Sequence, residues 1–252
     1  MIVGRHALVT GGGSGVGRAV ALALAQAGVA VTICGRRKDQ LEATAGLNKG
    51  IHPVVADVTE ESAIAALYDT AHKAHGPFDI VVANAGMSGS NLAHRTSLAD
   101  WQRTLDVNLT GSFLTVKPAL ADMTGRKSGR IVFVASTAGL KGYAYVAPYV
   151  AAKHGVVGLM RALAVETAKT GITVNAVCPG FVETDMLEES VRRIVDKTGR
   201  TPAEARASLA ATNPQGRLIR PQEVAAAVLW LCSEDAGSIT GQAISLSGGE
   251  TW

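Results

Sequence analysis

The chain has 252 residues, with 24 Lys and Arg against 21 Asp and Glu, a formal net charge of +3. Hydrophobic side chains make up 47% and charged ones 18%, below the roughly 25% charged of an average soluble protein, which excludes disorder. No apolar stretch approaches the roughly 20 residues a bilayer requires, since that of residues 19–25 is ended by Gln26 and Gly28; basic residues gather only over 191–206, so neither a membrane nor a nucleic acid is an expected partner.

In chain order, short Val- and Ile-rich runs at 7–10, 29–34, 53–56, 80–83, 131–135, 173–178 and 243–246 read as strands. Their apolar residues are continuous rather than alternating, which suits parallel strands covered on both faces. Longer patterns at 16–27, 40–45, 60–75, 101–123, 148–170 and 222–233 read as helices between them. Strict alternation predicts an α/β fold, one open parallel sheet of about seven strands with helices on both faces. At about 150 residues per domain the length leaves one or two domains open. No Ser/Pro-rich linker or repeat divides the chain, so residues 1–252 are expected to form a single domain.

Residues 181–218 break the rhythm with helix signals and no strand. Apolar Val191, Ile194 and Val195 fall at helical spacing, and Thr201-Pro202-Ala203-Glu204 has the form of a capping box with Pro at the first helical position. An insert on the side where strands end is placed to act as a substrate lid, or else as a helical hairpin that only packs. Trp101 and Trp230 fit core faces of their helices. His72 and His75 lack a third ligand nearby and read as surface histidines, with no metal expected. Cys34, Cys178 and Cys232 are too few and too far apart for a disulfide framework and read as small buried hydrophobes in a reducing compartment. With six residues ahead of the first apolar run, no signal peptide is expected and the cytoplasm is the expected location.

The first strand runs into Thr10-Gly11-Gly12-Gly13-Ser14-Gly15-Val16-Gly17 and then a helix. Glycines let the backbone approach a ligand closely, and the helix start presents unsatisfied N–H groups and partial positive charge to a diphosphate. In a β–α series that arrangement points to a dinucleotide.

The spacing Thr-Gly-x-x-x-Gly-x-Gly resembles that of the short-chain dehydrogenases/reductases, and the resemblance covers nearly the whole chain. Asn84-Ala85-Gly86 follows the fourth strand, Tyr149-Val150-Ala151-Ala152-Lys153 matches Tyr-x-x-x-Lys, and Ser136 lies thirteen residues before the tyrosine. Asn108 stands in Asp106-Val107-Asn108-Leu109, and Pro179-Gly180 follows the sixth strand. The resemblance implies a Rossmann-type doubly wound sheet and a catalytic set of Asn108, Ser136, Tyr149 and Lys153. It places the cofactor against Gly11, Ser14, Gly15, Val16 and Gly17, with Asp57 and Val58 at the adenine. Asn84, Ala85 and Gly86 join them, as do Tyr149, Lys153, Pro179, Gly180, Val182 and Thr184 toward the nicotinamide. It also implies a homo-oligomer, often a tetramer, with the long helices 101–123 and 148–170 as its interface.

An acid at the end of the second strand would favour NAD(H) by binding the ribose hydroxyls. This chain has Gly35 there, followed by Arg36 and Arg37, and a guanidinium can hold a 2′-phosphate bidentately. NADP(H) is therefore favoured, with NAD(H) the alternative if the arginines are only solvated loop bases.

Tyr149 and Lys153 are four apart and share a helix face. A free phenol ionises near pH 10, about 4 kcal/mol above neutrality, and an ammonium about 4 Å away at an effective dielectric near 20 is worth about 4 kcal/mol. The lysine is thus expected to bring the phenol into working range, where it protonates a developing alkoxide or takes up an alcohol proton. Ser136 is expected to hydrogen-bond the carbonyl oxygen. The resemblance adds a ribose contact for Lys153 and, for Asn108, a water linking Lys153 to solvent; alone, Asn108 reads as a helix disruptor. Tyr143 and Tyr145 lack a lysine four residues on and read as pocket wall.

Segments 87–90, 138–145 and 181–187 should frame the substrate. They bring Met87, Ala138, Leu140, Tyr143, Tyr145, Phe181, Met186 and Leu187, joined by Val146, to Ser136 and Tyr149, with no carboxylate-binding arginine among them. That favours a neutral small-molecule ketone or secondary alcohol, the substrate of a carbonyl reductase. A basic rim of Arg192, Arg193, Lys197, Arg200 and Arg206 reads first as a solvated helix face with Glu188, Glu189 and Asp196 interspersed, and otherwise supports the alternative of a 3-oxoacyl thioester on coenzyme A or an acyl carrier protein. A reading of another class is a cofactor-binding redox sensor or scaffold, which the intact Tyr149 and Lys153 disfavour.

Overall fold

The computed structural model describes residues 1–251. Its strands are β1 (His6–Thr10), β2 (Ala30–Gly35), β3 (Ile51–Val55), β4 (Ile80–Ala83), β5 (Gly129–Val134), β6 (Ile172–Pro179) and β7 (Ala243–Leu246). All pair in parallel, in the order β3-β2-β1-β4-β5-β6-β7. β1, β5 and β6 are buried along their whole lengths, as continuous apolar runs require.

The described residues also form the α-helices α1 (Gly15–Gln26), α2 (Lys38–Ala45), α3 (Glu61–His75), α4 (Leu98–Leu105), α5 (Gly111–Arg126), α6 (Ala147–Thr167), α7 (Asp185–Thr198), α8 (Pro202–Ala210) and α9 (Pro221–Leu231). Val20 and Leu24 of α1, Leu41 of α2 and Val224 and Val228 of α9 seal one face. Ile64 and Leu67 of α3, Val116 and Met123 of α5 and Val156 and Met160 of α6 seal the other. The chain reverses direction across the sheet between β1 and β4, and ligands of such sheets sit at that switch, beyond the carboxyl ends of the strands.

Two expectations need correction. The expected helix over 101–123 is two helices, α4 and α5, joined by a π-helical turn at Asp106–Thr110. Trp101 and Trp230 do not face the core; they are 36% and 44% exposed, because Thr104 fills the buried side of α4 and Val224, Ala225, Val228 and Leu231 fill that of α9.

The insert forms α7 and α8 around a small core of Leu187, Val191, Ala205 and Leu218. Thr201 and Glu204 make the expected capping box, and a parallel bridge between Val182 and Ile219 closes its neck.

His72 is not a simple surface histidine. At the end of the sheet away from the β-strand carboxyl ends, it stands edge-on to Tyr68 and Phe78, while His75 stacks on His52 and meets His6 edge-on. His6 is buried. Its Nδ1 contacts the Gly76 carbonyl at 2.8 Å, which can only accept, so Nδ1 carries the proton and Nε2 accepts from the Thr32 hydroxyl at 2.9 Å. Burial pushes its pKa down from 6.5 to about 4, helped by His75 and His72 and opposed by the Gly76 bond and Asp79. The unfolded ring takes its proton near pH 6.5, so below that the unfolded chain binds more protons and stability drains away as pH falls toward 4. Thermal unfolding of His6→Gln between pH 7 and 5 should show a shallower fall of Tm than wild type; an identical slope would contradict this.

Candidate active site

A cleft of about 1280 Å³ opens at the carboxyl ends of the strands. After β1 the backbone turns through Gly11 at φ +67°, with Gly11 and Gly12 N–H both donating to the Cys34 carbonyl at the end of β2. At Gly17, in the first turn of α1, an added Cβ would collide with the Gly11 carbonyl and the Asn84 amide. Thr10 joins this turn to the next loop: its hydroxyl accepts the N–H groups of Asn84 and Ala85, both at 3.0 Å, and Asn84 Nδ2 donates to its carbonyl at 2.8 Å.

Gly11, Ser14, Gly15, Val16 and Gly17 line the cleft together with Val58, Asn84, Ala85 and Gly86 and, across from them, Pro179, Gly180, Val182 and Thr184. Arg36, Arg37 and Asp57 line its far end. Arg36 Nη1 lies 3.9 Å from Asp57, with the guanidinium side chain 63% exposed. Asp57 caps no helix: its Oδ1 accepts from the N–H and hydroxyl of Thr59. Against the upward pull of burial, those bonds and Arg36 hold its carboxyl below the usual range. This loop and helix start fit a dinucleotide: side-chain-free backbone at the helix N-terminus for the diphosphate, and the guanidinium groups of Arg36 and Arg37 at one end.

At the other end Tyr149 and Lys153 project from α6 beside Ser136, which follows β5. The Ser136 Oγ accepts the Ala138 N–H at 3.1 Å, which fixes the side chain at the strand end. Lys153 is 4% exposed. Its Nζ donates to the Val134 carbonyl at 2.8 Å and stands 5.6 Å from the centre of the Tyr149 ring. Burial lowers the Lys153 pKa from 10.5 to about 8. It also raises the Tyr149 phenol above its ordinary value, although Ser136 beside it pulls the other way. The expected lowering of the phenol by its lysine is therefore corrected: in the protein by itself, burial sets the direction and raises the phenol.

Asn108 sits in the π-turn, fully buried. Its Nδ2 donates to the carbonyls of Met87 and Thr104, both at 2.9 Å, and its Oδ1 accepts the Met87 N–H at 3.3 Å. A side chain at Gly86 would come within 2.8 Å of that Oδ1. Asn108 thus pins the loop after β4 against the helix, below Lys153 rather than in the cleft wall.

Ala138, Tyr145, Phe181 and Met186, expected at the substrate, line the cleft with Met87, Tyr143, Val146 and Leu187, whereas Leu140 packs against the core. The wall is less apolar than expected. Arg95, Arg193 and Lys197 also line it, beside Glu189; Arg193 Nη1 reaches the Ser88 carbonyl at 3.2 Å and Lys197 Nζ the Ser90 carbonyl at 3.5 Å. Of the other expected rim cations, Arg206 pairs with Glu188. Arg95 and Gln40 are cleft residues with no motif to announce them.

A family model described as short chain dehydrogenase matches residues 5–194. The chain belongs to that family. It is 39% identical, over 98% of its length and 96% of the relative's, to a cis-4-hydroxycyclohexanecarboxylate dehydrogenase of Sinomonas cyclohexanicum. It is 38% identical, over 98% and 97%, to a 3-oxoacyl-acyl-carrier-protein reductase of Aquifex aeolicus. A crystal structure of a variant of actinorhodin polyketide ketoreductase with NADPH superimposes with a TM-score of 0.95 at 38% identity, covering 98% of this chain and 97% of that one. The chain is an oxidoreductase acting on a ketone and secondary alcohol pair with a nicotinamide dinucleotide.

Gly17→Ala should weaken NADPH binding by more than about a hundredfold, because the turn must open to admit the methyl. Fluorescence titration checks this, and affinity near wild type would show that the turn does not hold the diphosphate.

Proposed function

We propose that the protein is an NADP(H)-preferring ketone reductase, with Tyr149 as the general acid and base. The observation that carries this is the meeting of Ser136, Tyr149 and buried Lys153 at one end of a cleft whose other end holds Arg36 and Arg37. A bound nicotinamide supplies or accepts the hydride. In reduction the Ser136 hydroxyl donates to the carbonyl oxygen and holds it in line, and the Tyr149 O–H passes its proton to that oxygen as it becomes an alkoxide. The phenolate left behind is stabilised by the Lys153 ammonium and regains a proton from solvent; in oxidation the phenolate takes the alcohol proton.

The bulk of the wall is apolar and supports a neutral carbonyl compound. A second reading rests on Arg95, Arg193 and Lys197 along the wall: three cations at the mouth suit the phosphate of a carrier-bound 3-oxoacyl thioester, as the name of the Aquifex relative suggests. Helices α7 and α8 serve in this reading as the cover of the substrate end within a single domain. Exposed Leu98, Trp101, Phe113 and Val165, on α4, α5 and α6, support a homo-oligomer built on those helices. No helix among the described residues is long and apolar enough to cross a membrane, and three free, buried cysteines suit the cytoplasm.

Initial rates with cyclic and aryl ketones, 3-oxoacyl esters and the matching coenzyme A thioesters test both readings. Turnover of ketones at least equal to that of thioesters supports the first, and a strong thioester preference transfers the assignment to the second. Replacing Arg36 and Arg37 by alanine should raise KM for NADPH about tenfold or more and leave NADH nearly unchanged; equal losses would remove the phosphate clamp.

A further inference from the structure

The C-terminal turn carries a buried carboxylate that the reaction does not use. The Glu250 side chain is 4% exposed, and its Oε1 accepts the Tyr143 hydroxyl at 2.6 Å and lies 3.0 Å from Lys141 Nζ. Its Oε2 faces Gly180, where an added Cβ would come within 3.3 Å. The Tyr143 oxygen is also 2.6 Å from Thr137 Oγ1. A carboxylate only accepts, so the phenol proton points to Glu250 and the Thr137 hydroxyl donates into the phenol oxygen. Lys141 Nζ stands 5.0 Å from the Tyr143 ring centre.

These contacts join parts of the chain far apart in sequence. Tyr143 lines the cleft, as Ser136 and Tyr149 do, and Glu250 is 107 residues away from it. The turn bearing Glu250 is itself held against the base of the insert, where Asn213 abuts Gly248 so closely that no side chain fits there.

We propose that Glu250 is a positioning residue for the substrate site: by holding the Tyr143 hydroxyl, it fixes that ring as a rigid wall and keeps the phenol from competing for the substrate carbonyl. A burial this complete removes the carboxylate from water, and Lys141 offsets its charge. Losing the acceptor leaves the ring free to turn into the space the substrate takes. The effect falls chiefly on substrate fit: neither Glu250 nor Tyr143 hydrogen-bonds to Lys153 or Tyr149, and only the charge of Tyr149 reaches Tyr143.

The proposal rests on the cleft being the ketone site, and two readouts separate its failure from that of the functional reading. The first is steady-state kinetics of Glu250→Ala, Glu250→Gln, Tyr143→Phe and the Glu250→Ala/Tyr143→Phe double variant with a bulky ketone. Glu250→Ala and Tyr143→Phe should each raise KM about five- to tenfold with kcat within about twofold, as loss of one charge-assisted hydrogen bond implies. The double variant should be no worse than either alone, and Glu250→Gln, whose amide oxygen still accepts, should restore most of the loss. An unchanged KM in Glu250→Ala, or additive losses in the double variant, would overturn the proposal. The second readout needs no turnover: the chain has 4 tyrosines, and fluorine NMR of 3-fluorotyrosine-labelled protein, assigned by loss of a signal in Tyr143→Phe, should show the Tyr143 resonance shifted in Glu250→Ala. An unmoved resonance would overturn it even if no ketone is turned over.

Discussion

The site depends on keeping one ammonium group out of water beneath a phenol. A buried lysine is costly unless its donors are met and its surroundings held in place, and Lys153 shows that cost as a pKa lowered to about 8. The Val134 carbonyl at the end of β5 meets it. The approach of α6 to the strand end allows this: a side chain at Gly139 would come within 2.8 Å of the Lys153 carbonyl, so the loop after β5 must lie flat on the helix. The same loop begins with Ser136 and runs through Thr137 to Tyr143, which makes the position of the cation and the shape of the substrate wall a single packing problem.

The two halves of the cleft are coupled through the switch in the sheet. Thr10, ending β1, holds the loop after β4 by both its hydroxyl and its carbonyl. That loop passes Gly86 and reaches Asn108, which ties it to the π-turn between α4 and α5. Hydrogen bonds thus link the Gly-rich turn, by way of the loop after β4, to the floor below Lys153. It gives a physical reason for Asn-Ala-Gly after the fourth strand: the amide anchors, and the glycine clears room for Asn108.

Much of this was legible in the sequence because it is local or periodic. All seven strands could be placed from continuous apolar runs, within two residues at each end, and the Gly-rich turn and the Tyr-Lys spacing located both ends of the cleft. The π-turn was not legible: one extra residue inside a helical pattern leaves the apolar period nearly intact, so 101–123 reads as one helix. The Trp residues misled because hydrophobicity says nothing of which side of a helix a neighbour covers. The direction in which the Tyr149 phenol moves depends on how deeply it is buried, which spacing does not contain. Glu250 carries no motif, and its partner lies on the other side of the insert in sequence.

The most direct test of the account is NADPH oxidation by Tyr149→Phe with a ketone that the wild type reduces, alongside NADPH binding by the same variant. The account predicts that turnover falls by about 10²–10⁴, the usual contribution of a positioned proton donor, while the dissociation constant for NADPH stays within about twofold. Substantial turnover in the variant would mean that another group delivers the proton and that the arrangement around Lys153 serves something else.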